Sequence, residues 1–319
     1  MKKNYGIGID LGGSSLKYAL GTSLGEIIKK NERPSHSTEK IEVILNEIYQ
    51  AILETMEYAK SKGLKPSVIG IGTPGAVDVT KGFLKGSTPN FKYWQNVPIR
   101  DEIESKVNLP VFVDNDANLM SLGEAKYGAG IGHKNIICLT IGTGIGGGII
   151  CNGELFRGSN YSGAELGHIT LRHDGLSCKC GGKGCLERYA SATAMIESFY
   201  KKSRLHSPDL KKNKINVKYI FDQKKSGNPL AIEIIEKSTY YLGRGIANFI
   251  NIFNPSLIII GGGVSGAGKA YLKEVENVAF HYAMDCSKEN VKIVGAKLGN
   301  KAGSLGALGF AFDQMAARL

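Results

Sequence analysis

The sequence lacks any apolar run approaching the ~18 residues that a membrane-spanning helix requires. Its strongest candidate, Leu257–Ile260, runs straight into Gly261-Gly262-Gly263. Two lysines follow Met1 without the apolar core of a secretory signal, and Asn4–Asp10 already reads as a strand. A cytoplasmic protein with no membrane partner is the expectation. No low-complexity linker divides the 319 residues, a length ample for one large or two medium domains. Cysteine is scarce: of six, Cys138, Cys151 and Cys286 are scattered, while Cys178, Cys180 and Cys185 lie within eight residues. In a reducing compartment such a cluster points to metal before disulfide. Acidic residues are outnumbered, 29 against 40 basic, for a formal charge of +11. The surplus is dispersed lysine with one denser zone, Lys201–Lys225, edged by Tyr200 and containing Tyr219 and Phe221. No nucleic-acid motif accompanies it, so it reads as a solvated face and nucleic acid is not expected as a partner.

What is present is glycine-punctuated α/β patterning. Tyr5–Asp10, Leu16–Leu20 and Glu26–Asn31 are strand-like and separated by Gly12-Gly13-Ser14 and Gly21-Thr22-Ser23, a meander. Apolar residues at helical spacing mark a helix from about Glu39 to Lys62. Ser67–Gly72 reads as a buried strand ending at Thr73-Pro74-Gly75. Val111–Val113 leads into a helix over Asp116–Tyr127. The pattern then restarts: strand Ile136–Ile141, glycine turn Gly142–Gly148, returning strand Gly148–Cys151. Helices near Ala192–Lys202, Leu230–Phe253 and Lys269–Ala283, a strand at Leu257–Ile260 and a helix over Gly303–Ala317 complete the reading. Strand, glycine turn, strand occurs twice, as a duplicated domain with a cleft between its halves would give.

Glycines in these turns let the backbone approach a phosphate and aim N–H groups at it. Asp10 stands at the mouth of the first turn, a place to hold Mg²⁺ through water; a tight hairpin with an Asp bonded to its own turn is the bland alternative. The second turn formally holds GxGxxG at Gly142, Gly144 and Gly147. A dinucleotide site requires a helix next, and here strand and turn follow, so that reading is rejected. Two such hairpins facing one another would clamp a triphosphate. Gly263–Ala270 nearly fits a P-loop, but Ala270 occupies the Ser/Thr position that should meet Mg²⁺.

Cys178, Cys180 and Cys185 form C-x-C-x4-C with glycines that let the chain fold round one ion. Three thiolates need a fourth ligand for tetrahedral zinc, and His168 and His173 both lie upstream; spacing does not choose between them. Glu165 and Glu187 flank the cluster, and an ordered loop would hold them near one another as acceptors for hydroxyl groups. In Asp114-Asn115-Asp116-Ala117-Asn118 a helix N-cap explains one polar residue but not four in five positions. Asp116 is the candidate general base for a hydroxyl attacking phosphorus.

In this order, Asp10-Leu11-Gly12-Gly13, Asn115-Asp116-Ala117-Asn118, Gly142–Gly148, Gly163-Ala164-Glu165-Leu166-Gly167-His168 and Cys178-x-Cys180-Gly-x-x-Gly-Cys185-x-Glu187 resemble the ROK family of repressors and sugar kinases. The resemblance spans essentially the whole chain; the cysteine motif with its upstream Glu-x-x-His is its most specific part. It implies an actin-like (ribonuclease H-like) fold of two α/β domains closing over a hexose and ATP. The division expected is 1–117 plus 302–319 against 118–301. It implies Asp116 as base, and Gly75, Asn90, Asn115, Asp116, Glu165, His168 and Glu187 around the sugar. Asp10, Gly12, Gly13, Ser14, Lys17, Thr143 and Gly144 would line the phosphates, with Gly262 and Gly263 on the nucleoside side and Mg²⁺ accompanying ATP. It also implies His168 as the fourth ligand of a structural zinc with Cys178, Cys180 and Cys185. Ser14 departs from the family's usual Thr but keeps a hydroxyl. With the first glycine turn beginning at Gly12, a repressor carrying an N-terminal helix-turn-helix is not the expectation. Thr73–Asp78, Pro89-Asn90-Phe91 with Trp94, and Cys185–Ser191 look most like the glucokinase branch; an N-acetylmannosamine or N-acetylglucosamine kinase is the alternative. A homodimer or homotetramer is expected from the family, and the basic surplus would help steer ATP.

Overall fold

The computed structural model describes residues 3–86, 91–204, 210–264 and 268–318. Its first half opens with three antiparallel strands, β1 (Tyr5–Leu11), β2 (Ser15–Thr22) and β3 (Ile27–Pro34), followed by helix α1 (Ile41–Ser61). Strand β4 (Pro66–Thr73) leads to a small hairpin, β5 (Val77–Asp78) and β6 (Phe83–Leu84). Helix α2 (Ile99–Glu104) and strand β7 (Val111–Asn115) then lead into helix α3 (Asp116–Tyr127). The sheet order is β3-β2-β1-β4-β7, with β4 parallel to both β1 and β7.

The alternation Tyr5-Gly6-Ile7-Gly8-Ile9 explains how this sheet is covered. Ile7, Ile9, Ile69 and Ile71 join one core with Ile44, Leu45, Ile48 and Ile52 of α1. The glycines face the last helix, whose backbone lies almost on the sheet. A Cβ at Gly8 would stand 2.0 Å from Ser304 O, and one at Gly70 1.9 Å from Ala307 O. Side chains on that face would push the helix away.

The second half repeats the plan. Strands β8 (Ile136–Ile141), β9 (Ile145–Cys151) and β10 (Glu154–Phe156) are antiparallel, and helices α4 (Glu187–Ala190), α5 (Ala192–Ser203), α6 (Val217–Lys225) and α7 (Pro229–Phe253) follow. Strand β11 (Leu257–Gly261), helices α8 (Lys269–Tyr282) and α9 (Asp285–Lys288), strand β12 (Lys292–Gly295) and helix α10 (Ala302–Ala317) complete it. The order β10-β9-β8-β11-β12 mirrors the first sheet, and this doubled arrangement is the actin-like fold. Helix α7 begins with Asn228 as cap and Pro229 in its first turn, and ends at Asn254 with φ 43°, the left-handed C-terminal geometry.

Helices α3 and α10 cross between the halves on glycine. A Cβ at Gly306 would lie 1.6 Å from Leu119 O, and one at Gly123 2.4 Å from Ala302 O. Helix α10 also packs on β1, β2, β4 and β7, so the chain's end returns to the first sheet.

The second glycine turn is shorter than the sequence suggests. Pairing resumes at Ile145, opposite Ile141, so only Gly142–Gly144 turn. Gly147 and Gly148 serve packing instead: Cβ atoms there would meet Cys138 O at 2.4 Å and Ser121 Oγ at 2.5 Å. Elements absent from the sequence reading are short, such as α2, or, as in β12, carry a lysine and a glycine among only four residues.

Candidate active site

The strand ends of both sheets converge on one cleft, the place where open α/β sheets bind ligands. Asp10 lies one residue from the end of β1, Asn115 ends β7 and Asp116 follows it, Gly142 follows β8, and Gly262 and Gly263 follow β11. A cavity of ≈ 540 Å³ is lined by Asp10, Gly12, Lys17, Asp116, Thr140, Gly142, Gly262, Gly263 and Asn300 among others. A second, of ≈ 160 Å³, is lined by Gly75, Asn115, Asp116, Asn118, Gly146, Gly147 and the loop from Tyr161 to Glu165. Asp116 is the ionisable residue on the wall of both.

The polar cluster before α3 divides its work. Asn115 is the cap, its Oδ1 accepting from Asn118 N at 3.0 Å, and its Nδ2 donates to Gly75 O at 3.1 Å. That second bond fixes the Thr73-Pro74-Gly75 turn, where Gly75 has φ 103°. Behind the turn, buried Trp94 donates from Nε1 to Thr73 Oγ1 at 2.8 Å. Asp114 is buried and paired with Arg157. Asp116 accepts from the neighbouring Ala117 N at 2.9 Å and has no cationic partner among the described residues. Loss of hydration in the cleft, with Asp10 and then Glu165 nearby, raises its carboxyl to about 7 against the pull of the Ala117 N–H. Burial also raises Asp10, with Lys17, its cross-strand neighbour, opposing. Asp10 is pressed against the start of α10, where a Cβ at Gly303 would sit 2.3 Å from its Oδ2.

His168, Cys178, Cys180 and Cys185 place one ligand atom each within 4.8 Å of one another. Cys178 Sγ stands 3.6 Å from His168 Nδ1, and Cys180 Sγ 3.6 Å from Cys185 Sγ. Zinc–sulfur bonds near 2.3 Å place tetrahedral ligands about 3.7 Å apart, so the donor set and its spacing fit a metal. His168 Nε2 faces Glu165 Oε2 at 4.0 Å, which joins the metal cluster to the smaller cavity. Glu187 Oε2 accepts from Ile145 N at 2.8 Å and fills the space where a Cβ of Gly144 would stand.

The candidates therefore separate. Asp10, Gly12, Lys17, Gly262 and Gly263 share the larger cavity, and Gly75, Asn115 and Glu165 the smaller, with Asp116 between. His168 and Glu187 are not among the residues that line either cavity. Gly13 and Ser14, Thr143 and Gly144 belong to the two turns at the cleft without lining either cavity. Asn90 lies outside the described residues, as do residues 265–267 of the third glycine run. The sequence motifs do not point to Asn300, Tyr161, Ser162 or Glu124, which also line the two cavities. Glu124 is buried, accepts from Ala129, Lys297 and Leu298 N–H groups, and lines the larger cavity. For the Tyr161 loop a signal existed, a polar run between Gly158 and Gly163.

Residues 6–314 match the ROK family. The chain is 39% identical over 309 residues to the glucokinase of Thermotoga maritima, covering 94% of this chain and 95% of that one. It is 37% identical over 314 residues to the glucokinase of Halalkalibacterium halodurans, with 96% and 94% covered. Among solved structures, the ROK family glucokinase of Streptomyces griseus in complex with glucose and AMPPNP matches with a TM-score of 0.83 and 32% identity, over 97% of this chain and 100% of that one.

Proposed function

The chain belongs to the ROK family and is an ATP-dependent sugar kinase, and we propose that it converts glucose to glucose 6-phosphate with Asp116 as general base. The observation that carries this is the position of Asp116, a carboxylate on the wall shared by a large glycine-lined cavity and a small polar one. A hydroxyl in the smaller cavity gives its proton to Asp116 as it attacks the terminal phosphorus of ATP in the larger, and the bond from that phosphorus to the bridging oxygen breaks to release ADP. The transition state is stretched and highly charged, so most of the acceleration comes from alignment and from donors aimed at the phosphate oxygens. Gly12, Gly13 and Ser14 on one side and Thr143 and Gly144 on the other supply turns for those donors, with Lys17 as a nearby cation. Gly262 and Gly263 take the nucleoside side. Asp10 would hold the Mg²⁺ that accompanies the nucleotide, a cation that would neutralise phosphate charge.

Asn115, Glu165, His168 and Glu187, with Asn90, receive the sugar hydroxyls in this reading. A zinc ion held by His168 Nδ1 and the three thiolates has a closed shell, so its part is structural. The halves divide as 1–117 with 302–319, and 118–301. We also place the enzyme in the cytoplasm as a homodimer or homotetramer; no helix among the described residues is long and apolar enough to cross a membrane. The deciding experiment is ADP release with MgATP across glucose, N-acetylmannosamine, N-acetylglucosamine, fructose and allose. A strong preference for glucose is expected. Preference for an acetamido sugar replaces the substrate while keeping the base, and no turnover with any of them overturns the proposal.

A further inference from the structure

The loop that walls the smaller cavity leaves β10 at Arg157 and returns at Glu165. It is closed by Gly163 N donating to Arg157 O at 2.8 Å, and a Cβ at Gly163 would meet the Arg157 carbonyl carbon at 2.8 Å. Within it Tyr161 and Ala164 hold φ of 63° and 64°, left-handed conformations that persist only where the surroundings impose them. The Arg157 side chain runs the opposite way, into the first half. Its Nε and Nη2 both donate to Asp114 Oδ2, at 2.9 and 2.7 Å, and its guanidinium lies 5.4 Å from the ring centroid of Phe310 on α10. Asp114 is 1% exposed, and its other oxygen accepts from Asn115 N at 2.7 Å. One residue thus fastens the loop's backbone to the segment that carries Asn115 and Asp116.

We infer that Arg157 is a positioning residue for the sugar acceptor, a clamp that sets the wall from Tyr161 to Glu165 at a fixed distance from Asp116. The inference rests on the proposed reading only for the identity of the ligand. The clamp works by geometry. The groups that act on the Asp116 carboxyl are the cleft's loss of water, Asp10, its own and the Ala117 N–H groups, and Glu165, with Arg157 not among them.

The test is calorimetric titration of nucleotide-free protein with glucose, together with steady-state kinetics, on Arg157→Lys. A double variant, Asp114→Asn with Arg157→Met, removes both charges, so that neither is left buried alone. Misplacing an acceptor wall lowers sugar affinity, here by about tenfold or more. The KM for MgATP should stay within about twofold, and the midpoint of the pH–rate profile should not move. Folded variants that bind glucose as the parent does, or whose two KM values rise together, overturn the clamp. If Arg157→Lys fails to fold, the double variant decides. Because binding is read without turnover, Asp116→Asn run in parallel fails or succeeds separately; if the parent prefers another sugar, that sugar is titrated instead.

Discussion

A carboxylate is most effective as a general base when its surroundings lift its proton affinity toward the working pH. Asp116 meets that condition through the cleft's poor hydration and the proximity of Asp10. Asp116→Asn should therefore lower kcat by roughly 10²–10⁴, the usual range for a lost general base, while glucose still binds. In the parent enzyme kcat/KM for the sugar should climb with pH to a plateau, with a midpoint near the carboxyl's value of about 7. The same shift costs stability. The unfolded carboxyl, at 3.8, loses its proton before the folded one at about 7, so this group's contribution falls as pH rises between those values. Asp116→Asn should accordingly be the more stable protein at about pH 8, by on the order of 1–3 kcal/mol, with the gain gone near pH 4. Urea melts at the two pH values read it; equal midpoints at pH 8 would remove the strain from this account.

At the scale of elements, two devices hold the cleft's walls. The crossing of α3 and α10 tolerates no side chain at Gly306, where a Cβ would fall 1.6 Å from Leu119 O. Gly306→Ala should destabilise the fold by about 1–3 kcal/mol or more, the cost of overpacking against backbone that has nowhere to go. Denaturant unfolding of the variant checks this. The other device is the cysteine loop. Cys180→Ser should abolish stoichiometric zinc, measured by atomic absorption, and weaken glucose binding, because His168 would lose its anchor and Glu165 its neighbour. A metal-free variant with parental sugar affinity makes the metal incidental to the site. The strands and long helices behind these devices were legible because apolar periodicity is a local property. The glycines were legible only as turn residues; that Gly8, Gly70, Gly147 and Gly306 mark close backbone approaches depends on partners distant in sequence.

For the whole molecule, a charge of +11 should draw an anionic substrate more than a neutral one. Raising ionic strength from about 0.05 to 0.5 M shortens the screening length to a few ångströms. The kcat/KM for MgATP should drop several-fold over that range while the value for glucose holds. Equal losses for both substrates would assign the effect to the fold instead of to steering.

The sequence by itself determined the family, the duplicated strand–turn–strand plan and the three-cysteine cluster, because these lie in short contiguous motifs; spacing left His168 and His173 both open as the fourth ligand, and His168 followed only from the family resemblance. It also marked Asp116, since one N-cap could not account for four polar residues in five positions. Which of the four was free to act was decided only by the tertiary structure. Asn115 is used by the cap and by Gly75, Asp114 by an arginine 43 residues away, and Asp116 alone faces both cavities. The same holds for Glu187, turned onto the glycine turn beside Gly144, and for Glu124 bridging to Lys297 and Leu298. A side chain's task is set by the partners that folding brings to it, and those partners come from parts of the chain that no local pattern connects.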